Sequence, residues 1–317
     1  MLHLIDHPKQ KGAFTLLELV FVIVILGVVS SITSSVIAKV YETYITQRAM
    51  HNASLKSDLA INQLANRLLY RVDNSVLARV PGNTGMGAGN ALALRNISST
   101  TPNKNNYTAL EWIAYDNDGF TAQNQPSWSG FCDLNASTYT SVVTTGSNLD
   151  FEQTVLTNIL GTSLSTTDRP ALLFMGNTYN SVNDTHYEAS CMYNANGCIF
   201  PITVPLSGTN ITLSNDGNRT AGEMLYSEFY QLVASAYAVV PENNANGTFD
   251  LKLYSSYQPW LGENYTQGKS SLLAKNVSVF RFSQETNSIR IKLCTIERIG
   301  ENNDSSISIC KEKAVIR

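Results

Sequence analysis

From Leu19 to Ala38 the chain carries no charged residue, and one carboxylate, Glu18, stands at the head of that run. As a helix, LVFVIVILGVVSSITSSVIA spans ~30 Å, enough to cross the hydrocarbon core of a bilayer. A secretory signal peptide has a shorter apolar core and a small-x-small cleavage site, which SSITSSVIA imitates. The residues that follow argue against that reading. No proline or glycine occurs between Lys39 and Val80, and Leu55, Leu59, Leu64, Leu68, Val72 and Val76 mark an apolar stripe. This pattern predicts an amphipathic helix continuing out of the apolar one. A helix from Phe14 to Asp73 is ~90 Å long and does not fit inside one small globule. Its first half needs lipid or sister helices, and its second half needs a domain to cover the stripe.

A short leader ending in KQKGA precedes Phe14, Thr15, Leu16, Leu17 and Glu18, and the apolar LVFVIVILG follows. This stretch resembles the class III signal of type IV pilins and type II secretion pseudopilins. In that family a basic leader is cut by a prepilin peptidase, and the mature chain begins Phe-Thr-Leu-Ile-Glu. The resemblance places the cut between Ala13 and Phe14, with Ala13 standing where the family has glycine. A cut between Gly12 and Ala13 is the alternative, and it puts Glu18 sixth rather than fifth. The resemblance implies an N-methylated Phe14. It also implies that Glu18 of an incoming subunit meets the Phe14 amine of its neighbour during filament assembly. A carboxylate kept in an apolar stretch is a functional signal on physical grounds as well, because hydrocarbon penalises it unless it finds a cation.

The remaining sequence reads as an α+β chain, with one long N-terminal helix packed on an antiparallel, β-rich domain. PGNTGMGAGN, with four glycines in ten residues, marks a flexible turn. Strand-like runs follow, alternation being clearest in SVFRF, SIRIKL and SISIC; FYQLVASAYAVV fits helix or strand. The expected organisation is a leader at 1–13, a membrane or filament-core helix at 14–38 and an amphipathic continuation at 39–80. A Gly-rich linker at 81–90 and a periplasmic β-rich domain at 91–317 complete it.

Charge is uneven. Residues 14–268 hold 11 Lys/Arg against 19 Asp/Glu, whereas residues 269–317 hold 9 against 5. The acidic majority argues against nucleic acid as a partner, and the basic end reads as a solvated strand face. Cys191 and Cys198 bracket an Asn-Gly turn signal, and Cys294 and Cys310 end two strand-like runs. These four are disulfide candidates in an oxidising compartment, and Cys132 is left over as a buried thiol. Zinc is a poor alternative, since no Cys-x-x-Cys occurs and His186 is the only histidine beyond residue 51.

Other motifs carry weaker signals. Asp116 and Asp118 before Gly119 can open a calcium loop, but no glutamate follows at the required spacing, and an Asx-stabilised turn is the better reading. No cofactor is otherwise expected. Asn135, Asn218 and Asn303 fit the extended sequon of bacterial N-glycosylation. Asp184 and His186 lack any nucleophile elbow and read as a surface loop. Trp112, Trp128 and Trp260 are candidates for an adhesive patch but more commonly belong to cores. No catalytic constellation appears, so the chain is not expected to be an enzyme.

The resemblance therefore implies a filament subunit anchored in the bacterial inner membrane. Its partners are the prepilin peptidase, other pilin or pseudopilin subunits, an assembly platform and membrane lipid. The large size and the ending LLAKNVSVFRFSQETNSIRIKLC resemble the J-type minor pseudopilin and the W-type minor pilin, which sit near filament tips. The expected role is a minor subunit of a type II secretion pseudopilus. The alternative is a minor pilin of a type IV pilus or competence system with an adhesive or DNA-binding tip.

Overall fold

The computed structural model describes residues 15–121, 125–160, 170–175, 192–193, 199–214, 227–299 and 305–316. Helix α1 is a single element from Leu16 to Leu69, 54 residues and so about 80 Å long. Then come β1 (Leu77–Arg79), β2 (Ala91–Ala93), β3 (Ala109–Tyr115), the short α2 (Asn117–Thr121), β4 (Ser141–Val143) and α3 (Leu149–Leu160). They are followed by β5 (Ala171–Phe174), β6 (Phe200–Pro201), β7 (Asn210–Thr212), β8 (Tyr230–Asn243) and β9 (Phe249–Tyr257). Three long strands complete the chain: β10 (Lys269–Glu285), β11 (Ser288–Ile299) and β12 (Ser305–Ile316).

All pairings are antiparallel, in the order β12-β11-β10-β9-β8-β3-β1-β2, with β5 and β6 joined to the sheet through β8. The α+β class expected from the sequence is the class observed. The ambiguous FYQLVASAYAVV supplies β8, the central strand, paired with β3, β5 and β9. Ala234, Ala236, Ala238, Val239 and Val240 are all buried there. A strand covered on both faces loses its alternation, which is why its period could not be read.

The outer half of α1 lies across one face of the sheet. Ile61, Leu64, Ala65 and Leu68 pack with Leu110, Trp112, Val239, Leu253, Val277, Phe280, Ile289, Ile291 and Leu293. Burying each large aliphatic side chain contributes ~1.5–3 kcal/mol. Small residues Ala49, Ala53, Ser57 and Ala60 let the helix approach closely, so that Thr295 Oγ1 donates 2.9 Å to the carbonyl of Ala53. The flank is polar. Lys311 Nζ pairs with Asp58 at 3.2 Å, Lys313 Nζ donates to Asn62 Oδ1 at 2.7 Å, and Lys56 pairs with Glu297. The basic C-terminal strand is thus partly engaged in seating the helix.

Several expectations are corrected. Leu55 and Leu59, expected on the sheet, are about half exposed; alanines occupy that contact instead. The helix stops at Leu69 rather than continuing through residue 80. Val72 turns into the domain, its N–H donating to the Ile113 carbonyl at 2.8 Å. Asn74 then takes a left-handed conformation with φ 62°, a backbone region that asparagine tolerates and a helix interior does not. The four-residue spacing of Val72 and Val76 therefore came from a turn and the approach to β1, not from a helical face.

The glycine-rich segment is not a linker between rod and domain, because β1 precedes it and already belongs to the sheet. It is also held rather than loose. Gly82 N–H donates to Tyr265 Oη at 2.7 Å, Gly89 N–H to Tyr107 Oη at 2.8 Å, and Arg79 Nη1 to the carbonyls of Asn83 and Gly85. Gly82, Gly85, Gly87 and Gly89 all have positive φ, so the glycines serve backbone conformation. Helix α3 was not foreseen among the strand-like runs.

Candidate assembly helix

Helix α1 begins at Thr15, whose Oγ1 accepts the Glu18 N–H at 3.3 Å. Thr15 and Glu18 have the spacing of a capping box, and Glu18 adds negative charge to the first turn, where the helix dipole favours it. From Leu16 to Ile37 every large apolar side chain is exposed: Leu16 is 81% exposed, Phe21 60% and Ile25 59%. The most apolar window of the helix reaches a mean hydropathy of 2.6, with none of it buried in the protein. Ala49 is the first buried residue of the helix. An arm of about 50 Å therefore projects with its apolar surface bare. Such a surface is compatible with a single-pass membrane anchor, and it equally requires neighbouring helices once outside lipid.

A family model for the prokaryotic N-terminal methylation motif matches residues 8–34. The chain carries a prepilin-type signal. This is the signal of type IV pilins and pseudopilins, and it implies processing by a prepilin peptidase and assembly with other pilin subunits. It points to a structural filament subunit rather than an enzyme. No match to the chain is found among curated proteins or among solved structures.

Of the residues singled out from the sequence, Glu18 lies in the first turn of α1 and within the signal. Gly12, Ala13 and Phe14 lie outside the described residues, as do Cys191, Cys198, Asp184, His186, Asn218 and Asn303. Cys294 and Cys310 face each other directly across β11 and β12 and form a disulfide. Cys132 is a buried free thiol, and burial pushes its pKa up. Asn135 is exposed, in a turn whose N–H groups donate to Asp133. Trp112, Trp128 and Trp260 are all core residues, so none forms an exposed patch.

Asp116 is buried and Asp118 exposed. The Asp116 carboxylate accepts the N–H groups of Asp118 and Gly119 at 3.1 to 3.2 Å, an Asx-type turn that opens α2. No local motif signals what meets it there. Glu152 of α3, fully buried, contacts Asp116. Burial, with Asp116 beside it, pushes the Glu152 carboxyl up to about 10. The available signal was Glu152's place between Leu149 and Leu156 on the buried face of α3.

A second buried cluster was also missed. Glu111 Oε2 accepts Arg79 Nε at 2.6 Å, and its Oε1 accepts Tyr193 Oη at 2.6 Å and Tyr257 Oη at 2.8 Å. Burial, and then the Glu111 charge, raise the Tyr257 phenol well above its ordinary value. These phenols are donors to a carboxylate. Together with the Arg79 bonds to the glycine segment, the arrangement is a structural clamp.

Proposed function

We propose that this chain is a minor pseudopilin of a type II secretion system, cleaved before Phe14, anchored by α1 in the inner membrane and built into a periplasmic filament. The observation that carries the reading is the coincidence of the prepilin-type signal with an apolar helical arm that the chain's own domain leaves bare. In lipid the arm is solvated. In a filament the same surface is covered by the arms of other subunits. Cleavage frees a cationic amine on Phe14, four residues before Glu18 in sequence. Between subunits, Glu18 of one protomer meets the amine of the next, so each compensates for dehydrating the other. The exposed Leu55 and Leu59, turned away from the sheet, extend the contact surface for a sister helix beyond the apolar half.

The placement near the filament tip, in the manner of a J-type subunit, rests on size and on the C-terminal strands. A mature chain cut before Phe14 keeps a sheet that reaches from β2 to β12. The chain has no catalytic step of its own on this reading. N-terminal sequencing of the protein extracted from membranes tests the processing: a methylated Phe14 supports it, and an intact Met1 refutes it. Identification of the subunits that co-purify with the cross-linked chain tests the system. Secretion pseudopilins support the reading, and pilus or competence components replace it with a minor pilin.

A further inference from the structure

The contact between α2 and α3 carries an arrangement that folding alone does not call for. Asp116 and Glu152 come from different elements, and their carboxylates converge over Gly119. A Cβ added at that glycine would overlap both Glu152 Oε2 and Asp116 Oδ2. Neither carboxylate has an ion-pair partner among the described residues. Neither oxygen of Glu152 makes a well-formed hydrogen bond, and nor does Ser127 Oγ, although Asp116 and the Ser127 hydroxyl both lie against the Glu152 carboxyl. Glu152 and Ser127 are each fully shielded from solvent. Buried carboxylate oxygens left without donors are costly.

We propose that Asp116, Glu152 and Ser127 form a binding site for a hard divalent cation of the calcium class. The donor set is oxygen only, which suits calcium or magnesium rather than zinc. Two carboxylates neutralise the ion's charge. One shared proton bridges one oxygen of each acid and leaves the second Glu152 oxygen and the Ser127 hydroxyl unsatisfied, whereas a cation engages oxygens of both acids and the Ser127 hydroxyl together. Calcium suits the site better than magnesium, because its coordination is irregular and tolerates ligands from separate elements. A groove lined by Asp116, Asn117 and Asp118 opens on the Asp116 side of the pair. Arg67, held over the Tyr237 ring, shares that groove. A local calcium loop led by Asp116 and Asp118, the weaker reading of the sequence beside an Asx turn, lacked its closing glutamate; here a glutamate arrives from α3.

The test uses the full-length chain in detergent with terbium and then calcium as probes. Trp128 Nε1 donates to the Asp116 carbonyl at 2.8 Å, so excitation of tryptophan should sensitise terbium bound here. The proposal expects saturable terbium emission, displaced by calcium, and a melting temperature raised by calcium and restored by chelator. Glu152→Gln should abolish emission while melting as wild type does in chelator. Should Glu152→Gln fail to fold, Ser127→Ala is expected to weaken terbium binding roughly tenfold. Absence of emission with a calcium-independent melting temperature overturns the proposal and leaves a carboxyl pair sharing a proton. Emission unchanged in the folded Glu152→Gln variant, or unchanged in Ser127→Ala where the glutamine variant does not fold, overturns it too.

Discussion

Arg79 Nε and Glu111 Oε2 are 2.6 Å apart with both side chains sealed from solvent. The pair links β1 to β3 and, through Arg79 Nη1, fixes the glycine segment. Breaking a buried pair by removing one partner leaves an uncompensated charge, at a cost of about 3–5 kcal/mol. Glu111→Ala should therefore lower stability by that amount in a denaturant titration. A double variant, Arg79→Met with Glu111→Leu, should recover only the part of the loss due to the unpaired charge, because the Tyr193 and Tyr257 phenols and the Asn83 and Gly85 carbonyls lose their partners. Equal losses in the single and double variants would show that the charges themselves are not what matters.

The helix–sheet contact makes two predictions of opposite kind on one element. Leu64 is buried against the sheet, and Leu59 faces out. Leu64→Ala should cost about 2–5 kcal/mol, whereas Leu59→Ala should change the stability of the isolated chain by no more than about 0.5 kcal/mol. In cells the order should reverse at the level of assembly, with folded Leu59→Ala protein reduced in filaments. Pulldown of sister subunits, compared with melting curves, separates the two effects.

Cys294 and Cys310 join β11 to β12 at a sequence separation of 16. Closing a loop of that size contributes about 3 kcal/mol. Replacing both with serine should lower stability by up to that amount. The loss should appear first as faster amide exchange in β12, because among the described residues β12 is an edge strand paired only with β11. Exchange in β8, at the centre of the sheet, should change least.

The flanking ion pair between Lys311 and Asp58 is partly exposed on both sides. Solvent screening limits such pairs to about 1 kcal/mol or less. Lys311→Ala should thus be nearly silent in stability, and a double-mutant cycle with Asp58→Ala should return a coupling that fades at high salt.

What could be read from the sequence was what depends on local period or a contiguous motif. The apolar arm, Glu18 at its head, and the alternating strands β10 to β12 declare themselves over a few residues. The error over residues 70–80 arose because Val72 and Val76 keep a four-residue spacing after the helix has ended, and only the bond from Val72 to Ile113 ends it. Leu55 and Leu59 misled for a related reason: large leucines outweigh alanines in a hydrophobic pattern, yet a close helix–sheet approach favours Ala53 and Ala60. The Asp116–Glu152 contact and the Arg79–Glu111–Tyr257 cluster bring together residues distant in the chain, which no window in the sequence contains.

The central claim is that Glu18 directs assembly through its charge. It is tested most directly by following Glu18→Ala from membrane to filament, with leader cleavage measured by N-terminal sequencing and incorporation by recovery in sheared filaments. The account predicts a variant that is processed at Phe14, stable in the membrane and absent from filaments. Recovery of that variant in filaments at the wild-type level would contradict it.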